Sequence, residues 1–154
     1  MTNHQRVGAV SNAHVGREFE ADARGYFFRA EGIQLTPSLS LNLGVSGVEP
    51  KAHRFDLGSY QPAVLVECKS HKWTATGNMP SAKVTVWNEA MYYFLLAPAN
   101  FRKILFVLEA RHPRQSKSLA EYYVHINGHL IPRDVSILEY NPTTLTGRYV
   151  KVGV

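Results

Sequence analysis

The sequence predicts an α/β protein, a small mixed β-sheet flanked by helices, and three observations carry that expectation. Two stretches, residues 12–31 and 81–97, repeat their apolar side chains at helical spacing. Between them, residues 53–59 and 63–70 read as two strands joined by a tight turn. Beyond the second helix, residues 104–108 form an unbroken apolar run, as a strand covered on both faces would. The order helix, three strands, helix, strand, helix describes an α/β sandwich over one domain, residues 1–154. Its hairpin is expected to be antiparallel and its helix-linked strand parallel to a neighbour.

Each element has its own local reason. Residues 1–10 read as a loose lead-in, and Ser11 or Asn12 is the expected cap of the first helix, which Gly32 stops. Val15, Phe19, Ala23, Tyr26, Phe27 and Ala30 make its apolar stripe, with Gly16 inside the stripe and Glu20 on its edge. A glycine one turn before an edge acid would let the helix lie close to a sheet while the acid reaches inward. Residues 33–43 alternate like a strand interrupted by Pro37, and 44–50 are a glycine-containing loop. Gly58 is expected to mark a bulge, and residues 71–80 an exposed loop.

Ser81 is the expected cap of the second helix, where Val84, Trp87, Met91 and Leu95 form a buried stripe. Asn88 and Tyr92 fall within that stripe one turn apart, and polar groups facing inward need partners. The loop from Arg111 to Lys117 is the most basic segment. A third helix is expected from Ser118 to Asn127, ended by Gly128. Residues 137–140 and 148–152 are expected as peripheral strands.

Bulk properties narrow the function classes. Lys and Arg number 17 against 12 Asp and Glu, a net charge of +5, which suits a polyanionic partner without requiring one. Cys68 is the single cysteine, so no intrachain disulfide forms. The absence of a membrane-length apolar run and of a signal-like N-terminus leads to the expectation of a cytoplasmic protein.

The chemistry concentrates in the hairpin. In the run Ala63-Val64-Leu65-Val66-Glu67-Cys68-Lys69, strand alternation puts Leu65, Glu67 and Lys69 on one face. A turn centred between Gln61 and Pro62 sets Asp56 opposite Glu67, with Cβ atoms about 5 Å apart. Two carboxylates so close repel each other, and a divalent cation is the natural relief. The triplet Glu-x-Lys alone says little, since Glu49-Pro50-Lys51 repeats it in a loop. An apolar strand before Glu67 and an acid at hairpin distance give the second copy its meaning.

With those residues in place, the chain resembles the PD-(D/E)xK nuclease superfamily, the restriction-endonuclease-like fold, over about residues 12–109. Gly16-Arg17-Glu18-Phe19-Glu20 resembles the glycine-plus-acid first helix of its Holliday-junction-resolvase and Mrr-like branches. Asp56, Glu67 and Lys69 match the signature acids and lysine, with Phe55 where the name-giving proline would stand. Asn88-Glu89-Ala90-Met91-Tyr92 resembles, with Asn for Gln, the Gln-xxx-Tyr element of the second helix.

The resemblance implies a Mg²⁺-dependent nuclease, Mn²⁺ substituting, that hydrolyses phosphodiester bonds of DNA more readily than RNA. Asp56, Glu67 and the peptide carbonyl of Cys68 would hold the metal. Lys69 would assist the attacking water, with Glu20 completing the catalytic set and Asn88 and Tyr92 supporting it. Arg54, Lys72, Arg111, Arg114 and Lys117 are candidates for backbone phosphates. The Cys68 thiol should point to the opposite face as a core group. His53 and His71 flank the active strands, and His125 and His129, spaced i, i+4, lack a third zinc ligand. A homodimer is expected if both strands of a duplex are cut. The alternative is a catalytically silent nucleic-acid-binding or assembly module on the same scaffold.

Overall fold

The computed structural model describes residues 12–154, so the lead-in and the Ser11 cap lie outside the described residues. Helix α1 (Asn12–Glu31) comes first, then strands β1 (Thr36–Leu43), β2 (Lys51–Tyr60) and β3 (Ala63–Lys69). Helix α2 (Ser81–Leu96) leads to β4 (Arg102–Leu108), and α3 (Leu119–Asn127) leads through the 3₁₀ turn Gly128–Leu130 to β5 (Val135–Asn141) and β6 (Thr146–Lys151). The six strands form one sheet in sequence order. The β1–β2, β2–β3 and β5–β6 pairs are antiparallel, and β3–β4 and β4–β5 are parallel. The mixed sheet and the parallel β3–β4 step agree with the sequence reading. No helix among the described residues is long and apolar enough to cross a membrane.

Helices cover both faces. Phe19, Ala23 and Phe27 of α1 pack with Val66, Ile104, Phe106 and Leu138 on one side. Trp87, Met91 and Phe94 of α2 pack with Leu119 and Tyr123 of α3, and with Leu65, Leu105 and Ile137, on the other. Two parallel crossovers, both through helices on the same face, place β3, β4 and β5 side by side with their carboxyl ends at one edge. Every residue of β5 from Val135 to Tyr140 is buried. The expectation of a peripheral strand there is therefore corrected: β5 is an inner strand, because α3 returns the chain beside β4 and β6 takes the edge beyond it.

The helix stripes shift from their expected positions. In α1 the buried residues reduce to Phe19, Ala23 and Phe27, while Val15 is 40% exposed. A Cβ at Gly16 would meet nothing within 4 Å, so that glycine is not a close-approach point to the sheet. In α2, Phe94 is buried and Leu95 is 62% exposed. Ser81 is the first helical residue rather than a cap, and the Pro80 carbonyl accepts the Val84 N–H at 3.0 Å. Ser118 does cap α3, in a reciprocal box with Glu121.

One irregularity shapes the site. The β1–β2 ladder pairs Pro37 with Leu57 and Leu39 with Phe55, but skips the rung between Ser38 and Asp56. Ser38 has φ 58°, a left-handed conformation. Leu39 and Phe55 pack on the α2 side of the sheet, whereas Leu57, two residues on from Phe55, packs on the α1 side. Side-chain alternation is thus broken at Asp56. Gly58 is instead a packing glycine, since a Cβ there would lie 2.7 Å from the Leu39 side chain and 3.0 Å from the Val64 carbonyl.

Candidate active site

The hairpin register is the one that the sequence implies. Leu57 pairs with Val66 and Tyr60 with Ala63 around a turn at Gln61–Pro62, whose peptide bond is cis. The pairs stop at Leu57–Val66, one rung short of Asp56 and Glu67. Beyond that point the Asp56 carboxylate takes over from the ladder: its Oδ2 accepts the Cys68 N–H at 2.8 Å. The acid that opens the site also ends the strand pairing.

Lys69 gathers the two acids. Its Nζ donates to Glu67 Oε2 at 3.0 Å and lies 3.9 Å from Asp56 Oδ2. Glu67 is only 6% exposed. Burial, opposed by Lys69 and reinforced by Asp56, pushes its pKa up to about 7. Burial works to lower Lys69, but Glu67 and Asp56 outweigh it and hold the ammonium above its ordinary value. Glu20, on α1, feels the charges of the cluster. Burial and then the Asp56 charge raise its pKa, while Lys69 and Arg17 pull it down.

The break at Asp56 adds a residue that regular alternation would send to the other face. His53 sits on the α2 side with Phe55, and its Nε2 lies 3.4 Å from Glu67 Oε1. Its ring stacks on Tyr93 of α2. Glu67 is therefore held at one oxygen by β2 and at the other by Lys69. His53, Arg54, Glu67 and Lys69 line a cavity of about 240 Å³ with Val86, Glu89, Ala90 and Tyr93 of α2.

Placement differs among the expected supporting residues. Asn88 accepts the Tyr123 hydroxyl at 2.8 Å and so ties α2 to α3. Tyr92 is 52% exposed, and neither residue lines the cavity with Glu67. Their neighbours Glu89 and Tyr93 do, because the buried stripe of α2 runs through Ala90, Met91 and Phe94. A helical stripe can be read to within one residue from its apolar spacing, and one residue turns a side chain by about 100°. The sequence sets His53 beside the active strands, but its contact with Glu67 follows from the alternation break at Asp56, which the residue pattern does not show.

Among the expected phosphate contacts, Arg54 lines the Glu67 cavity and Lys72 an adjoining groove. Arg111 pairs with Glu109 at 3.3 Å and lies 3.9 Å from Glu121, and Arg114 donates to the Thr76 carbonyl at 3.4 Å. Lys117 is exposed on the same loop. Cys68 packs at the edge of the α1-side core, and burial followed by the Asp56 and Glu20 charges pushes its thiol well above the ordinary value. His125 lies in the last turn of α3 and His129 in the 3₁₀ turn that follows.

Asp56, Glu67 and the Cys68 carbonyl offer hard oxygen donors, the kind that suits Mg²⁺ with several of its waters retained. Lys69 stands beside both acids as an internal counter-charge, so a cation bound there would share the carboxylates with its ammonium. Among the described residues no group of three or more His, Cys, Asp or Glu side chains is gathered as for a metal; two carboxylates and a carbonyl need no such group.

The fold and site together define an open α/β sheet with an acid–acid–lysine cluster at the carboxyl end of a central strand. No family model matches the chain, and no curated protein or solved structure matches it.

Proposed function

We propose that the protein is a divalent-cation-dependent nuclease of the PD-(D/E)xK type, cutting phosphodiester bonds of DNA in preference to RNA. The observation that carries this reading is Lys69, whose ammonium lies 3.0 Å from Glu67 and 3.9 Å from Asp56 beside a cavity that Arg54 also lines. Two acids and a lysine at a strand end suit hydrolysis of an anionic ester better than they suit stability, because burying Glu67 raises the cost of its charge.

Asp56, Glu67 and the Cys68 carbonyl would hold Mg²⁺ or Mn²⁺. When bound, the ion supplies a water of lowered pKa and neutralises phosphate charge. Lys69 hydrogen-bonds the attacking water and offsets charge growing on the phosphoryl oxygens. Arg54 holds the ester in the cavity, and Glu20 adds negative potential behind Asp56. Water oxygen forms the new bond to phosphorus and gives up a proton to solvent as the bond to the leaving sugar oxygen breaks, and that oxygen takes up a proton in turn. If both strands of a duplex are cut, two copies of the chain act as a homodimer.

The test is cleavage of supercoiled plasmid, linear duplex, single strand, four-way junction and RNA with Mg²⁺, Mn²⁺ or EDTA, using Lys69→Ala as control. Metal-dependent cutting that falls by about 10²-fold or more in Lys69→Ala is the expected result. Failure to cut any of these, with no Mg²⁺ or Mn²⁺ binding but intact nucleic-acid affinity, would favour the catalytically silent binding module.

A further inference from the structure

Beside the Glu67 cavity runs a second, larger groove of about 590 Å³, lined in part by Ser70, His71, Lys72, Lys83 and Val86. The two depressions share Val86 as a wall. The groove in turn shares Lys72, Trp73 and Thr74 with a third hollow of about 360 Å³ that reaches Glu109 and Arg111. The three form a path along the carboxyl ends of β3 and β4, the side on which open α/β sheets take their ligands. Lys72 and Lys83 form no ion pair or side-chain hydrogen bond among the described residues.

His71 distinguishes this groove from a merely basic surface. The indole N–H of the fully buried Trp87 lies 2.9 Å from His71 Nδ1. An indole nitrogen can only donate, so Nδ1 must accept. In the neutral imidazole the single proton then sits on Nε2, which becomes a donor. Burial and the charges of Lys69 and Lys83 all keep the ring neutral. Trp73, by contrast, satisfies its indole on the Ala110 carbonyl at 3.1 Å, so the core does not need a histidine to satisfy a tryptophan.

We propose that this groove is a second phosphate subsite, which takes a backbone phosphate of the strand being cut, with His71 Nε2–H as donor and Lys72 and Lys83 as counter-charges. The inference rests on the nuclease reading for its substrate and extends it to a strand path from Arg54 towards Arg111. A neutral donor in a groove that two lysines also line binds a phosphate diester by direction as well as charge. Trp87 acts as a positioning residue that fixes the tautomer.

The experiment measures binding of labelled single-stranded and duplex oligonucleotides by fluorescence anisotropy in EDTA, where nothing is cut, across a series of salt concentrations. Lys83→Ala should weaken binding and lower the salt slope by about one phosphate's share. His71→Ala should weaken it about fivefold, the worth of an ordinary hydrogen bond, with the slope unchanged. His71→Gln, which keeps an acceptor and a donor, should recover most of that loss. A structural role for His71 alone would lower the melting temperature while leaving the affinity of the folded protein intact, and that result would overturn the proposal. So would inorganic phosphate shifting the His71 side-chain NMR signals in a protein whose oligonucleotide affinity ignores all three variants. Wild-type protein that binds as described but never cuts with Mg²⁺ would remove the nuclease reading and support the subsite. Protein that cuts normally with every variant binding as wild type does the reverse.

Discussion

The His53 imidazole lies flat on the Tyr93 ring, with centroids 3.5 Å apart and planes 11° from parallel. From that seat its Nε2 meets Glu67 Oε1 at 3.4 Å. Phe55 packs against the same imidazole edge-on, with centroids 4.7 Å apart. Glu67 is thus oriented through an aromatic stack that spans β2 and α2. Tyr93→Ala removes the platform, and Mg²⁺ affinity measured by calorimetric titration should fall by about tenfold, as when an outer partner of a metal ligand is lost. Tyr93→Phe keeps the ring and should bind Mg²⁺ as wild type does. Equal affinities in Tyr93→Ala and wild type would show that the stack does not orient Glu67.

Glu67 should make stability depend on pH. Its pKa rises from 4.5 to about 7 in the fold, chiefly through burial. The folded chain therefore retains a proton that the unfolded chain releases between those values. The stabilising contribution is complete below about pH 4.5 and is lost as pH rises through about 7. At about 1.4 kcal/mol per pH unit, the interval corresponds to about 3 kcal/mol. Glu67→Gln cannot ionise and escapes that loss, so urea denaturation should show wild type losing about 3 kcal/mol relative to the variant between pH 4 and pH 8. Parallel profiles for the two proteins would contradict the burial argument. Glu67→Gln should also fail to cut nucleic acid, which separates stability from activity at one atom.

Asp56 has two duties that substitution can separate. Its carboxylate caps the Cys68 N–H where the β2–β3 ladder stops, and it stands beside Lys69. Asp56→Asn keeps a side-chain acceptor for the cap but halts metal-dependent cutting. Asp56→Ala also leaves the Cys68 amide without its acceptor, which costs about 1–3 kcal/mol. Thermal unfolding should place Asn close to wild type and Ala clearly below both, while cleavage is lost in both. A melting temperature for Ala equal to that for Asn would mean that the cap contributes nothing.

The parts of this molecule that the sequence discloses are those set by short periodic patterns. Apolar runs located the inner strands β3 and β4, and the count from Asp56 to Glu67 gave the hairpin register. Asp56, Glu67 and Lys69 meet as that register requires. What escaped depends on rotation or on distant chain. The α2 face was misjudged by one residue, which exchanged Asn88 and Tyr92 for Glu89 and Tyr93 at the cavity. His53 reaches Glu67 because alternation breaks at Asp56, and a pattern of period two cannot announce its own interruption. β5 reads as peripheral although it is buried from Val135 to Tyr140, because the buried Ser136 and Glu139 are polar and dilute the apolar signal.

Glu139 supplies the last test. It stands at mid-strand in β5, paired with Val107 of β4 and Arg148 of β6, and is 2% exposed. Its Oε1 accepts Arg148 Nη2 at 2.6 Å, while Oε2 is buried with no hydrogen-bond partner. The same guanidinium reaches Glu121 Oε1 of α3 at 2.9 Å, so Arg148 joins the edge strand to the helix over a buried acid. Arg148→Ala strands that carboxylate without a counter-charge and should cost about 3 kcal/mol by chemical denaturation. Arg148→Lys keeps the charge but not the two-armed reach and should fall between. In Arg148→Ala/Glu139→Leu the acid is gone as well, and an apolar side chain fills an apolar site. Most of the loss should return, since a buried pair is costly to break but cheap to replace whole. If the double variant is no more stable than Arg148→Ala, the arginine acts through Glu121 and the α3 contact, not through neutralisation of Glu139.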